Sequence, residues 1–514
     1  MTSLLKTGAL AAIMAAGGCV GASAPRAQTE IMFFFDAEDY TSDRPNDALR
    51  DLCNLFRDEG MTVHVALVGQ LAREIARYGR KDVVEALSHH AIGTQSMYHS
   101  LHPNIMELSD EADYKRAYEQ VYAQERTACE EIRRVTGQWP FFAVPPGNSK
   151  SYVAADVYAD LGVKFYCDTV CSRDETGGEW YQNLIHIPYS KTFWIEALIP
   201  GQEGGIAGKD GDALGINWTK ALDEIASRPS QILFLHPCMA VNAEFWDSVN
   251  YNKGNFCAFG KWNVPRRRPA ADTALYYARI RELLRRLKRD GRFSFVTLAG
   301  KAAAERPRQP IRRDMCRDFS DALFVSHFER VPCGAASIEW FEPTPGEVWT
   351  RQVSYSLAEV FQAAVTFLRD DSVLTFAPLK AYGFLEKPTA LERPVPLKAA
   401  DLRETAKKID LSRHLPASID VGGTKVGPAD FLKAALDVLA TGKDVSEVSP
   451  SDGPIDPLGD LARFPLLKDF HPAGSWVFYP AYKDEYTSDR LRWQVWTWRC
   501  AERETWPDEK PLRK

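Results

Sequence analysis

From Glu30 to about Arg306, short apolar runs alternate with amphipathic ones. Runs of strand length fall at Ile31–Phe35, Thr62–Val68, Ala91–Ser96, Phe141–Val144, Val163–Cys167, Ile185–Pro188, Ile232–Leu235 and Phe293–Leu298. Between most of them, apolar residues recur at helical spacing, at Asp47–Glu59, Lys81–Ser88, Asp110–Val135, Ser151–Asp160, Trp218–Ala226 and Asp272–Arg289. Such alternation predicts an α/β fold, a mostly parallel sheet with helices outside it, either barrel-like or doubly wound. In both, ligands meet the C-terminal ends of strands. Those ends are polar here: DAED follows the first run, QSMYHSLHP the third, PPGN the fourth, CDT the fifth and HPC the seventh.

The alternation stops at RPRQPIRRD, and 306–345 reads as a linker. Residues 346–514 then form a smaller mixed or helical C-terminal domain. Within it SLAEVFQAAVTFL, from Ser356, and GPADFLKAALDVL, from Gly427, repeat one apolar helical face. Val360, Phe361, Ala364, Phe367 and Leu368 match Phe431, Leu432, Ala435, Val438 and Leu439. The tail, with WVFYPAYKDEY and RLRWQVWTWRC, is rich in aromatics and reads as strands completing this domain.

At 514 residues, 45% of them apolar, the chain can bury two or three cores, and a formal charge of −6 argues against nucleic acid as a partner. Residues 1–28 read as a targeting segment. Lys6 precedes GALAAIMAAGGCVGASA, too short and too weakly apolar for a membrane span. Two routes to a periplasmic, extracellular or envelope location are open: cleavage after Ala22-Ser23-Ala24, or lipid attachment at Cys19. The other cysteines form no C-x-x-C pair, which argues against a zinc ribbon. In an oxidising compartment Cys238 with Cys257, and Cys316 with Cys333, are the nearest candidate pairs.

The chemistry concentrates at three strand ends. Ile31–Tyr40, IMFFFDAEDY, delivers Asp36, Glu38 and Asp39 into a small volume, where a divalent metal or a retained proton must relieve the repulsion. In QSMYHSLH, Gln95 and His99 are four apart and His99 and His102 three apart, so either pair has the spacing to face one ion. His236 ends ILFLHP, where it is a candidate general acid. WDSVNYNKGN, Trp246–Asn255, lies in an insertion after His236; its aromatic and amide residues suit sugar contacts or a packed loop. No G-x-G-x-x-G or G-K-[ST] follows the first strand.

The ordered motifs over ~30–300 resemble the polysaccharide deacetylases, carbohydrate esterase family 4 with its NodB-homology domain. FFFDAEDY is similar to that family's first motif, IGTQSMYHSLHP to its H-[ST]-x-x-H motif with Gln95 in the first histidine position, and TGQWPFFAVPPGNS to the stretch holding R-x-P-x-G, with Ala143 where Arg is expected. ILFLHP resembles the last motif and FSFVTL the closing strand. The resemblance implies a distorted (β/α)7 barrel over 29–305 that removes acetyl groups from an acetylated carbohydrate or cell-wall polymer. It implies Asp36 as base, His236 as acid, and a divalent metal, zinc or else cobalt or nickel, held by Glu38 or Asp39 with His99 and Gln95 or His102. Gln95 and Ala143 depart from the pattern, and a catalytically silent carbohydrate-binding barrel is the alternative. In the C-terminal domain, LPASIDVGGTKVGPADFLKAALDVL resembles the pseudomurein-binding repeat, which implies a polymer-binding module.

Overall fold

The computed structural model describes residues 28–148, 150–167, 179–187, 189, 192–206, 211–251, 257–305, 308–324, 337–344, 348–450, 483–500 and 512–513. The targeting segment with Cys19, and Cys171 and Cys333, lie outside the described residues.

An 11-stranded sheet dominates the first 300 residues. Its strands are β1 (Thr29–Ala37), β2 (Val63–Leu67), β3 (Ala91–Thr94), β4 (Phe142–Ala143), β5 (Phe165–Cys167), β6 (Glu179–Tyr181), β7 (Leu184–Ile187), β8 (Thr192–Trp194), β9 (Ser230–Leu235) and β10 (Phe293–Phe295), with Arg499–Cys500 from the tail. The order is Arg499–Cys500, β6, β7, β5, β4, β3, β2, β1, β9, β8, and β10 also pairs with β1. Pairing is parallel from β7 through to β8; only β6 and the tail strand run antiparallel. The α/β alternation of the sequence is therefore a large, curled, mostly parallel sheet. Among the described residues β7 and β8 are not hydrogen-bonded to each other, so the curl is open along that seam.

Strand alternation sorts side chains into two cores. Ile31, Phe33 and Phe35 of β1 face outward, where Phe33 and Phe35 meet Phe56 of the helix Arg44–Asp58 with ring centroids 5.2 and 5.1 Å apart. Met32 and Phe34 face the inside of the curl with Ala66, Phe142, Phe165, Ile185, Ile187, Ile232 and Phe234. Both faces being dry explains why β1 reads as a continuous apolar run. Each fully buried phenylalanine contributes about 1.5–3 kcal/mol. Gly93 is required at its place in β3: an added Cβ would lie 2.5 Å from Cε2 of Phe142.

The sequence pattern missed the helix Gly69–Arg77 and the short strands β6 and β8. The stretch expected as a linker carries structure: Ile311–Arg312 pairs with Thr375–Phe376, Cys316–Phe324 is helical, and Ser337–Thr344 pairs with Val348–Ser356. Ile311, Met315 and Phe319 are buried there, and the basic residues find acids, Arg308 at Glu359 and Arg313 at Asp371.

The two repeated segments are helices, Leu357–Arg369 and Pro428–Thr441, and they pack on each other through Phe361 and Phe431, 5.5 Å between centroids. Ser356 caps the first, accepting from the Glu359 N–H while Glu359 accepts from the Ser356 N–H. Trp496 of the tail packs edge-on to Phe384 in the same core. That core is continuous with Tyr152, Tyr158, Tyr181 and Leu184 on the flank of the curled sheet. Cys238 and Cys257 do not pair: both thiols are free, that of Cys257 donating to the carbonyl oxygen of Lys261 at 3.1 Å, and Cys316 is free as well. No helix among the described residues is long and apolar enough to cross a membrane.

Candidate active site

The inner face of β1 continues past its last residue, so Asp36 and Glu38 follow Phe34 to the mouth of the curl. Asp39, of opposite parity, turns away. It accepts from the N–H and hydroxyl of Thr41 at 2.9 and 2.6 Å and from Nδ2 of Asn242 at 2.8 Å, and so holds the loop after the strand. Burial pushes its carboxyl up to about 6 despite those Thr41 bonds. The same alternation brings His236 in behind Phe234, Gln95 behind Gly93, and Tyr189 behind Ile187.

These side chains line a cleft of about 490 Å³. Asp36 is 5% exposed; Tyr189 donates its hydroxyl to Oδ1 at 2.6 Å, and Nε2 of Gln95 reaches Oδ2 at 3.3 Å. Burial raises its carboxyl to about 6, opposed by His236 and reinforced by Glu38. Ala143 faces the outer helices, away from Asp36, because Phe142 and Val144 occupy the inner positions of β4. Across the cleft, Nε2 of His236 lies 3.9 Å from Oδ2 of Asp36 and 4.0 Å from Oε1 of Glu38. Glu196, in the turn Ile195–Leu198, accepts from the His236 backbone N–H at 2.6 Å and from Nδ1 at 2.9 Å. Burial alone would lower the imidazole, but Glu38, Glu196 and Asp36 together carry it up to about 10.

Glu38 is 2% exposed and bonded on both oxygens: Nε2 of His99 is 2.8 Å from Oε2, and Nε1 of Trp246 donates to Oε1 at 3.0 Å. Burial would raise its carboxyl; His99 and His236 outweigh burial and hold it below the ordinary range. His99 sits at φ 55°, in the left-handed region, as does Ser96 at φ 64°, so the QSMYH loop is bent back to present the imidazole. Nδ1 of His99 is 2.7 Å from Oγ of Ser100, which donates to Oδ2 of Asp247 at 3.1 Å. Glu38, His99 and Asp247 each offer a donor atom within 4.8 Å of the others. Two buried oxygens here, Oε1 of Gln95 and Oδ1 of Asp247, have no hydrogen-bond partner among the described residues. Two carboxylates, an imidazole and spare oxygen donors fit a divalent cation.

His102 stands outside this group. Its Nδ1 pairs with both oxygens of Glu107 at 2.8 Å, at the start of the helix Ile105–Ser109. Trp246 and Asn250 are spent on structure, Trp246 on Glu38 and Asn250 on the carbonyl oxygens of Trp246 and Asn263. The rest of that insertion, 252–255, and Asp168 and Thr169 after the fifth run lie outside the described residues. Three residues of the site escaped sequence reasoning: Tyr189, Glu196 and Asp247. Tyr189 was within reach, two positions beyond Ile187 on one strand face. Asp247 lay in a segment read for sugar contacts, and Glu196 carried no signal.

No protein-family profile matches the chain, and no curated protein sequence does. Among solved structures, the 4-alpha-glucanotransferase from Thermococcus litoralis is 12% identical with a TM-score of 0.37, over 59% of this chain and 46% of that one. The chain thus spans under half the length of that enzyme. The T48 deacetylase with substrate is 12% identical, TM-score 0.28, over 54% and 92% of the two chains. The family 4 acetyl xylan esterase from Clostridium thermocellum, in complex with a cobalt ion, is 16% identical, TM-score 0.27, over 54% and 91%. At these scores the likenesses carry no argument, and the chemistry rests on the residues of this chain.

Proposed function

We propose that the cleft hydrolyses acyl groups, acetyl foremost, from a carbohydrate polymer or oligomer. The observation that carries this reading is the facing of Asp36 and His236 across 3.9 Å, each held from behind by a different partner. Asp36, fixed by Tyr189 and Gln95, takes a proton from the attacking water. His236, with Nδ1 tied to Glu196, turns Nε2 toward the cleft and gives its proton to the departing oxygen or nitrogen. Glu38 and His99, with Gln95 lining the same cleft, would hold a divalent cation; such an ion supplies a Lewis acid for the acyl carbonyl and charge for the oxyanion that develops. Trp194, 55% exposed, and Phe245 line the same cleft and give it an apolar wall suited to the C–H face of a sugar ring. Export through the segment 1–28, with or without a lipid at Cys19, belongs to this reading.

A second reading has its own observation. Glu38 is already bonded on both oxygens by His99 and Trp246, so the cluster is partly satisfied without an ion. A barrel that binds carbohydrate without turnover would look the same. Elemental analysis with acetate release from a panel of acetylated sugars separates the two. Close to one equivalent of zinc, cobalt or nickel, with acetate released, is expected; neither metal after loading nor acetate from any sugar would leave the silent barrel.

A further inference from the structure

We propose that Asp247 is itself a ligand of the cation, serving where the QSMYH loop has glutamine instead of a second histidine. The inference rests on the metal reading above.

Asp247 belongs to the short helix Trp246–Tyr251, fixed at both ends: Nε1 of Trp246 bonds to Glu38, and Asn250 bonds to the carbonyl oxygens of Trp246 and Asn263. Its side chain is fully buried, and a carboxylate oxygen lies within 4.8 Å of the donor atoms of Glu38 and His99. Two buried carboxylates therefore share one imidazole, with Nε2 of His99 2.8 Å from Glu38 and Nδ1 3.7 Å from Asp247. Such a pair is costly unless a cation or a proton lies between. A divalent ion matches the charge of two carboxylates and a neutral imidazole.

The competing role is a brace: Oδ2 of Asp247 accepts from Ser100, whose hydroxyl meets Nδ1 of His99, a chain that would orient a ligating imidazole. The brace accounts for Oδ2 alone. Oδ1 stays buried with no hydrogen-bond partner among the described residues, and so does Oε1 of Gln95, which lines the same cleft. The Ser248 backbone N–H also bears on this carboxylate, but a group that served only to orient His99 has no reason to bring its second oxygen so close to another buried carboxylate.

Titration of the full chain with zinc chloride by calorimetry tests this, using wild type, Asp247→Ala, Asp247→Asn, Ser100→Ala and His99→Ala. Loss of a brace costs about 10–100-fold in metal affinity. The expected result is a loss of more than about 100-fold for Asp247→Ala and His99→Ala but only the brace's about 10–100-fold for Ser100→Ala. Metal-free Asp247→Asn should melt at or above wild type, because an amide of the same shape costs less to bury beside Glu38 than a carboxyl does, yet lose the zinc-induced rise in melting temperature. Equal losses for Ser100→Ala and Asp247→Ala, wild-type affinity in Asp247→Ala, or a metal-free Asp247→Asn that melts well below wild type would overturn the assignment while leaving the metal reading intact. Failure of wild type to bind zinc would remove both.

Discussion

The hydroxyl of Tyr189 donates to Oδ1 of Asp36 at 2.6 Å, from a residue that reaches the cleft beyond β7. It supplies the restraint that Ala143, facing the outer helices, has no atoms to give. Tyr189→Phe keeps the ring packing on Phe34 and Phe234 and deletes that one bond. Hydrogen bonds to charged groups contribute about 1.5–3 kcal/mol, so kcat should fall roughly 10- to 100-fold. KM should change little. Unchanged kcat would mean that Tyr189 does not position Asp36.

Parity separates Glu38 from Asp39. Glu38→Gln should lose metal and activity together, whereas Asp39→Asn should keep both and lose about 1 kcal/mol of stability from its bonds to Thr41 and Asn242. Metal analysis of the two variants decides it. Loss of metal from Asp39→Asn alone would reverse the assignment.

His236→Ala removes the proposed proton donor, so an amide, whose nitrogen needs protonation to leave, should suffer far more than an activated ester. A gap of about 10²-fold or more between the two substrates is expected. Equal losses would move His236 to a structural role.

His64 is buried inside the curl and stacked on Phe34. Its Nδ1–H donates to the Phe33 carbonyl and its Nε2 accepts from the Leu298 N–H, both at 3.0 Å, so the neutral ring is fully bonded. Burial lowers the ring to about 4, against the Phe33 bond. The folded value lies below the unfolded one, so the unfolded chain binds the extra proton, and stability is complete above about pH 6.5 and lost as pH falls toward 4. The loss amounts to roughly 3 kcal/mol. Urea unfolding of wild type and His64→Gln, compared from pH 7.5 to 4.5, should show wild type losing stability relative to the variant. Parallel curves would contradict this.

A chain ending at Glu305 should aggregate or bind hydrophobic dyes. It would strip Trp496 and Trp498 from the core shared with Tyr158 and Tyr181, and remove the strand that pairs with β6. Tail bonds to the turn after β6 would go too, among them that from the Gln182 N–H to Thr497. A monomeric, cooperatively unfolding fragment would show that the curled sheet stands alone.

Much of this was legible. The apolar runs locate β1, β9 and the polar strand ends, and Asp36, His99 and His236 stand out as candidates by residue type and position. The alternation that marks Ile31, Phe33 and Phe35 against Met32 and Phe34 also divides Asp36 and Glu38 from Asp39, and applied one step past the strand it would have excluded Asp39. His102 was not excludable, since its capture by Glu107 depends on how the next helix begins. Glu196 and Asp247 come from connections far along the chain, and their approach to His236 and His99 is a tertiary fact that no local spacing encodes. The tail strand beside β6 is hidden for the same reason: Arg499 and Trp180 are neighbours only after folding.

The central claim is that Asp36 acts on a water in this cleft. Acetate release from N-acetylglucosamine oligomers by wild type and Asp36→Asn, both loaded with one equivalent of cation, tests it most directly. Wild type should turn over and Asp36→Asn should be slower by roughly 10²-fold or more with its metal retained. Equal rates for the two proteins would contradict the assignment, and no acetate from metal-loaded wild type would contradict the reaction itself.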